Sequence, residues 1–142
     1  MVNLDIPYGH RLMITLGYLE CSLGLIFYPI ILILYLNGEI IGAGPINIIC
    51  SFFISPFFII WGFQILNQLR RKEINGLDNV DMFMKLSILI SLILVVEAIA
   101  VDDGETFALI LINIPLTIFT LIYWGAESHK KYFESCNKLK NI

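Results

Sequence analysis

Apolar residues in this chain gather into four long runs, and the polar residues fall between them. The runs are Leu12–Leu36, Ile46–Leu66, Met82–Val101 and Phe107–Ala126. Each matches the roughly 20 residues that a helix needs to cross a hydrocarbon layer of about 30 Å. Isoleucine is frequent in them, which suits strands in water. A membrane barrel, however, needs short segments that alternate polar and apolar, and stretches such as Leu86–Val96 do not alternate. The pattern therefore predicts an all-α membrane protein, a bundle of four transmembrane helices forming one domain over 1–142.

The breaks between runs are short. Asn37-Gly38 and Gly42-Ala43-Gly44-Pro45 mark a turn, and 102–106 leaves room only for a tight hairpin. The segment 67–85 is longer. There the second helix is expected to continue to about Glu73 and stop at Asn75-Gly76, with Asp78 capping the third. Pro56 is expected to kink the second helix. The segment 127–142 reads as a polar tail with Tyr132, Phe133 and Leu139 as interfacial anchors. Neighbouring helices joined this closely pack antiparallel. Small and weakly polar residues then mark the faces that allow close approach. These are Gly17, Cys21 and Gly24 on the first helix, and Ser51, Ser55 and Gly62 on the second. The third carries Ser87, Ser91 and Ala98; the fourth carries Asn113, Thr117 and Thr120.

Composition supports the membrane reading. Hydrophobic residues are 58% of the chain and charged residues 15%, against about 45–50% and 25% in soluble domains. Charge then sets an orientation. All nine Lys and Arg residues lie in 1–11, 67–85 and 127–142, while the other two connections carry Glu39, Asp102, Asp103 and Glu105. The positive-inside rule places both termini in the cytoplasm, in what is expected to be a prokaryotic plasma (inner) membrane. The first run is too long for a signal-peptide core and no small-x-small cleavage site follows it, so it reads as a permanent span.

Candidate chemistry is sparse. Ionisable groups inside spans are functional candidates; two carboxylates lie there, and Asn113 is a further polar candidate. Glu20, about 12 Å along the helix from Leu12, is expected to face protein beside the Gly17–Gly24 seam, within reach of Lys85, Gln64 and Gln68. It reads as a structural polar contact, with a protonatable transport site as the alternative. Glu97 lies about 6 Å from the far end of its helix and is expected to join Asp102, Asp103 and Glu105 in a water-exposed acidic rim. His10 and His129 are far apart in sequence, and Cys21, Cys50 and Cys136 show no C-x-x-C spacing. No catalytic, phosphate-binding or metal motif is present, so no cofactor is expected. A net charge of −3 gives no support to nucleic-acid binding.

A basic cluster after the second helix, Leu69-Arg70-Arg71-Lys72, precedes an aromatic and basic end, Tyr123-Trp124 followed by Lys130-Lys131-Tyr132-Phe133. In these features the chain resembles a broad group of uncharacterised four-helix prokaryotic membrane proteins, a resemblance that implies no activity. Glu20 is similar in placement to the helix-one glutamate of small multidrug resistance transporters. The chain is longer than that family, its loops are more charged, and the residues around Glu20 do not match the family pattern. The leading expectation is a non-catalytic membrane subunit that packs in the bilayer with other membrane protein subunits and stabilises or regulates a larger complex. A small proton- or cation-coupled transporter using Glu20, as a homo-oligomer, is the first alternative. An immunity-type protein against a pore-forming toxin is the second.

Overall fold

The computed structural model describes residues 6–38 and 44–140, all as helix or short connection. Glu39, Gly42 and Ala43 of the first hairpin, and the last two residues, lie outside the described residues. Four helices are long and apolar enough to cross a membrane: α1 (His10–Leu36), α2 (Pro45–Arg70), α3 (Ile74–Ala100) and α4 (Gly104–Gly125). A fifth, α5 (Glu127–Lys140), follows directly.

The connections are compact because they are built from helix caps. Asn37 closes α1, with Gly38 in the left-handed region at φ 72°. At the α2–α3 turn, Lys72 takes φ 58°, and the N–H groups of Lys72 and Glu73 bond the carbonyls of Leu69 and Gln68. The same paired bonds recur at the α3–α4 turn, where Asp102 has φ 58° and the N–H groups of Asp102 and Asp103 reach Ile99 and Ala98. Both are Schellman caps, which satisfy the last carbonyls of a helix, here without glycine at the left-handed position. Asp103 then caps α4 by accepting the Thr106 N–H at 3.0 Å.

Three expectations about the segments beyond the spans are corrected. The second helix ends at Arg70 rather than near Glu73, and α3 begins at Ile74 with Glu73 as its cap. Asn75-Gly76 therefore lies inside α3, and Asp78 is a helical residue rather than a cap. Gly76 is needed for approach and not for a turn, since a Cβ there would sit 3.2 Å from the Leu69 backbone nitrogen. Thirdly, the tail is not a set of loose anchors. Its helix buries Tyr132, Phe133 and Cys136, with Phe133 fully covered. These join Ile14, Ile65, Leu69, Val80 and Trp124 in the main hydrophobic core, at the end of the molecule where both termini lie.

Helices α1 and α2 pair along their length. Gly17 faces Leu66, Cys21 faces Gly62 and Gly24 faces Ile59. The Tyr18 hydroxyl donates to Asn67 at 2.6 Å. Near the hairpin end, Tyr35 packs on Phe52 with centroids 4.8 Å apart. Helices α3 and α4 form the most extensive contact, with Ser91 and Ala98 buried on one and Ile110, Thr117 and Trp124 on the other. The two pairs join through α2 and α3, where Phe83 packs on Phe58 and Trp61 at 4.9 and 5.3 Å.

Helices α1 and α4 make no extensive contact. They meet only at the termini end, where Tyr123 of α4 donates to the Tyr8 carbonyl at 2.7 Å and His10 packs on Trp124. Towards the hairpin end a crevice lined by both helices lies between them, so the bundle is open there. None of the most apolar window of α1 is buried, and the largest share in any span is 17%, in α3.

Candidate functional site: a crevice at the hairpin end

The gap between α1 and α4 continues inward as a crevice of about 520 Å³. Its walls are mostly apolar, with Ile31, Phe52, Leu94 and Leu109 among them. Its polar groups are Tyr35, Asn47, Ser51, Thr106 and Asn113. Two sequence-stripe residues, Ser51 and Asn113, thus reach one space from different helices.

Backbone chemistry explains why α2 is placed to line it. The first four N–H groups of a helix have no partner inside it. In α2, Pro45 has no N–H to satisfy, and the next two donors both go to Glu97 of α3. The Ile46 N–H bonds Oε1 at 2.6 Å and the Asn47 N–H bonds Oε2 at 2.6 Å. A carboxylate at a helix N-terminus also meets the positive end of the helix dipole. Gly44 is part of this clamp, since a Cβ there would collide with the Glu97 carboxyl group. The Asn47 amide extends the network, donating to Thr106 Oγ1 at 3.2 Å and accepting from Ser51 Oγ at 3.2 Å.

Glu97 is therefore not part of an exposed acidic rim. It is 7% exposed, and it ties the start of α2 to the end of α3. Asp102 and Asp103 separate from it and serve the turn. Among the described residues, no group of three or more His, Cys, Asp or Glu side chains is arranged to hold a metal ion. The three cysteines are free.

Pro56 acts here as well. Lacking an N–H, it leaves the Phe52 carbonyl without its usual partner four residues on. Cys50–Ile54 widens into a π-turn, and Tyr28 of α1 donates its hydroxyl to Phe52 O at 3.0 Å. Ser55 of the stripe is spent locally, donating to Cys50 O. Thr117 and Thr120 likewise bond carbonyls of their own helix, those of Asn113 and Leu116. Ser87 is half-buried on α3.

Glu20 is placed elsewhere. It is exposed on the outer face of α1, amid exposed Leu16, Leu19 and Leu23, and does not line the crevice. The expected neighbours are engaged or distant: Lys85 pairs with Asp81 at 2.6 Å, and Gln68 accepts from Asn79 at 2.8 Å. Glu20 has no hydrogen-bond or ion-pair partner among the described residues. Sequence reasoning missed Asn47, Thr106 and Tyr28. The proline at 56 and the Gly44-Pro45 helix start were the only signals for the groups that need them. No known protein family, curated protein or solved structure matches the chain.

Proposed function

We propose that this protein is a non-catalytic subunit of a larger membrane assembly, resident in a prokaryotic inner membrane with both termini cytoplasmic. The observation that carries the reading is Glu20. It stands near the middle of α1, is exposed, and has no hydrogen-bond or ion-pair partner among the described residues. A charged side chain at the centre of a span costs about 3 kcal/mol even on the mildest insertion scale. A neighbour that covers α1 and supplies a cation or hydrogen-bond donors removes that cost. The same neighbour can close the open side between α1 and α4, where Asn113 offers a further polar contact. A span bearing Lys, Arg or His opposite Glu20 fits this face best, because it matches both charge and depth.

The test is charge reversal. Glu20 is exposed and makes no hydrogen bond or ion pair among the described residues, so Glu20→Lys is expected to leave the monomer folded. It should lower the fraction recovered in a hetero-oligomer by at least about tenfold, an energy near 1.4 kcal/mol. Assembly of the Lys variant at wild-type levels would contradict the reading. Coupled transport through a homo-oligomer is the second reading, favoured by the same unpaired carboxylate. It requires Glu20→Gln to abolish proton- or cation-driven flux in proteoliposomes.

A further inference from the structure

At the termini end, two residues 119 positions apart come together in a place that the crevice and Glu20 do not use. His10, the first residue of α1, and His129, in the first turn of α5, lie with ring centroids 5.8 Å apart. They are 5% and 2% exposed. Around them stands a wall of aromatic rings. Trp124 is 5.5 Å from His10 and 5.0 Å from His129, Tyr132 and Phe133 are 5.6 and 5.7 Å from His10, and Tyr123 is 4.5 Å from His129. Nδ1 of His10 and both ring nitrogens of His129 are buried and have no hydrogen-bond partner among the described residues.

We propose that this histidine pair is an acid-sensitive latch: α5 stays docked while both rings are neutral and is released when they are protonated. The argument rests on what surrounds the rings. Protonation would put two like charges side by side in a box that offers aromatic edges and, among the described residues, no anion. The charged and titratable groups facing the box are Arg11 on α1, Lys72 at the α2–α3 turn, Tyr123 on α4, and Tyr132 and Cys136 on α5. Lys72 lies over the Tyr132 ring at 5.2 Å, so the nearest fixed charges are positive. The α3 carboxylates Asp78 and Asp81 line a cavity with Trp124 and Lys130 that includes neither histidine, and Asp81 is bound to Lys85. Burial is the main influence on His129 and holds it below its ordinary value.

The sign of the effect follows. A group whose folded pKa is depressed favours folding fully above its unfolded value, about 6.5 for histidine. That contribution is lost as the pH falls below 6.5 and through the folded value. Release belongs to the acid side, and its consequence is local. Docking of α5 covers Trp124, and undocking uncovers Tyr132, Phe133 and Cys136 as an apolar stripe beside Lys130 and Lys131.

The experiment uses the full chain in nanodiscs, in a Trp61→Phe background that leaves Trp124 as the single tryptophan. Its emission is followed from pH 8 to pH 4. A red shift with its midpoint below 6.5 is expected, and the additional pair His10→Phe and His129→Phe should remove it, because phenylalanine keeps the ring packing and cannot charge. No shift in the histidine-bearing protein overturns the proposal. So does an unchanged midpoint in the phenylalanine pair, which would assign the transition to carboxylates. Histidine NMR of the wild-type chain gives a test independent of the variants. The His129 resonance should titrate below 6.5 and move together with the Trp124 indole N–H. Titration at 6.5 with a static indole overturns the latch.

Discussion

Glu97 shows how one side chain can fix the relation between two spans. Its two oxygens take the two N–H groups that Pro45 and the helix geometry leave exposed at the start of α2. With Glu97 buried over them, such donors have no cheap substitute. Glu97→Ala should therefore destabilise the protein by about 3 kcal/mol, the range for buried donors that lose a charged acceptor. Glu97→Gln should cost about half as much, because its amide can accept from one N–H while presenting its own donors to the other. Thermal unfolding in a mild detergent measures both. A loss below about 0.5 kcal/mol for the alanine variant would show that the clamp does not hold α2.

At the scale of elements, much was legible in the sequence because hydrophobic runs and their lengths answer to the bilayer alone. The four spans follow from that, and the glycine stripe of α1 does fall on α2. The ends of helices were less legible. Lys72 and Asp102 occupy left-handed caps that sequence patterns assign to glycine, and Gly76 looks like a stop signal but serves close packing. The tail was misread for a similar reason. Its hydrophobic residues are few, and only their meeting with Trp124 and His10, set by tertiary contact, makes α5 part of the core. The site was legible in part: Ser51, Glu97 and Asn113 were picked out as separate residues, while the network through Asn47 and Thr106 needed three helices to be placed. One prediction belongs at this level. A Cβ at Gly62 would lie 2.9 Å from Cys21 Sγ, so Gly62→Val should wedge α1 from α2 and cost about 2 kcal/mol. Adding Cys21→Ala should recover part of that loss in a double-mutant cycle. Strictly additive losses would show that the two positions do not meet.

The whole molecule is an incomplete bundle. Two helix pairs are hinged through α2 and α3, closed by aromatic packing at the termini end and open between α1 and α4 at the other. A carboxylate stands uncovered on α1. A protein that worked alone would leave these groups uncovered; in the proposed assembly a partner covers them. The most direct measurement is native mass after gentle extraction from its own membranes, with every co-migrating chain identified. The expected result is a hetero-oligomer of fixed stoichiometry, containing a partner span with a basic residue at the depth of Glu20. A lone monomer or a homo-oligomer under the same extraction would contradict it, and the homo-oligomer would direct attention to transport through Glu20.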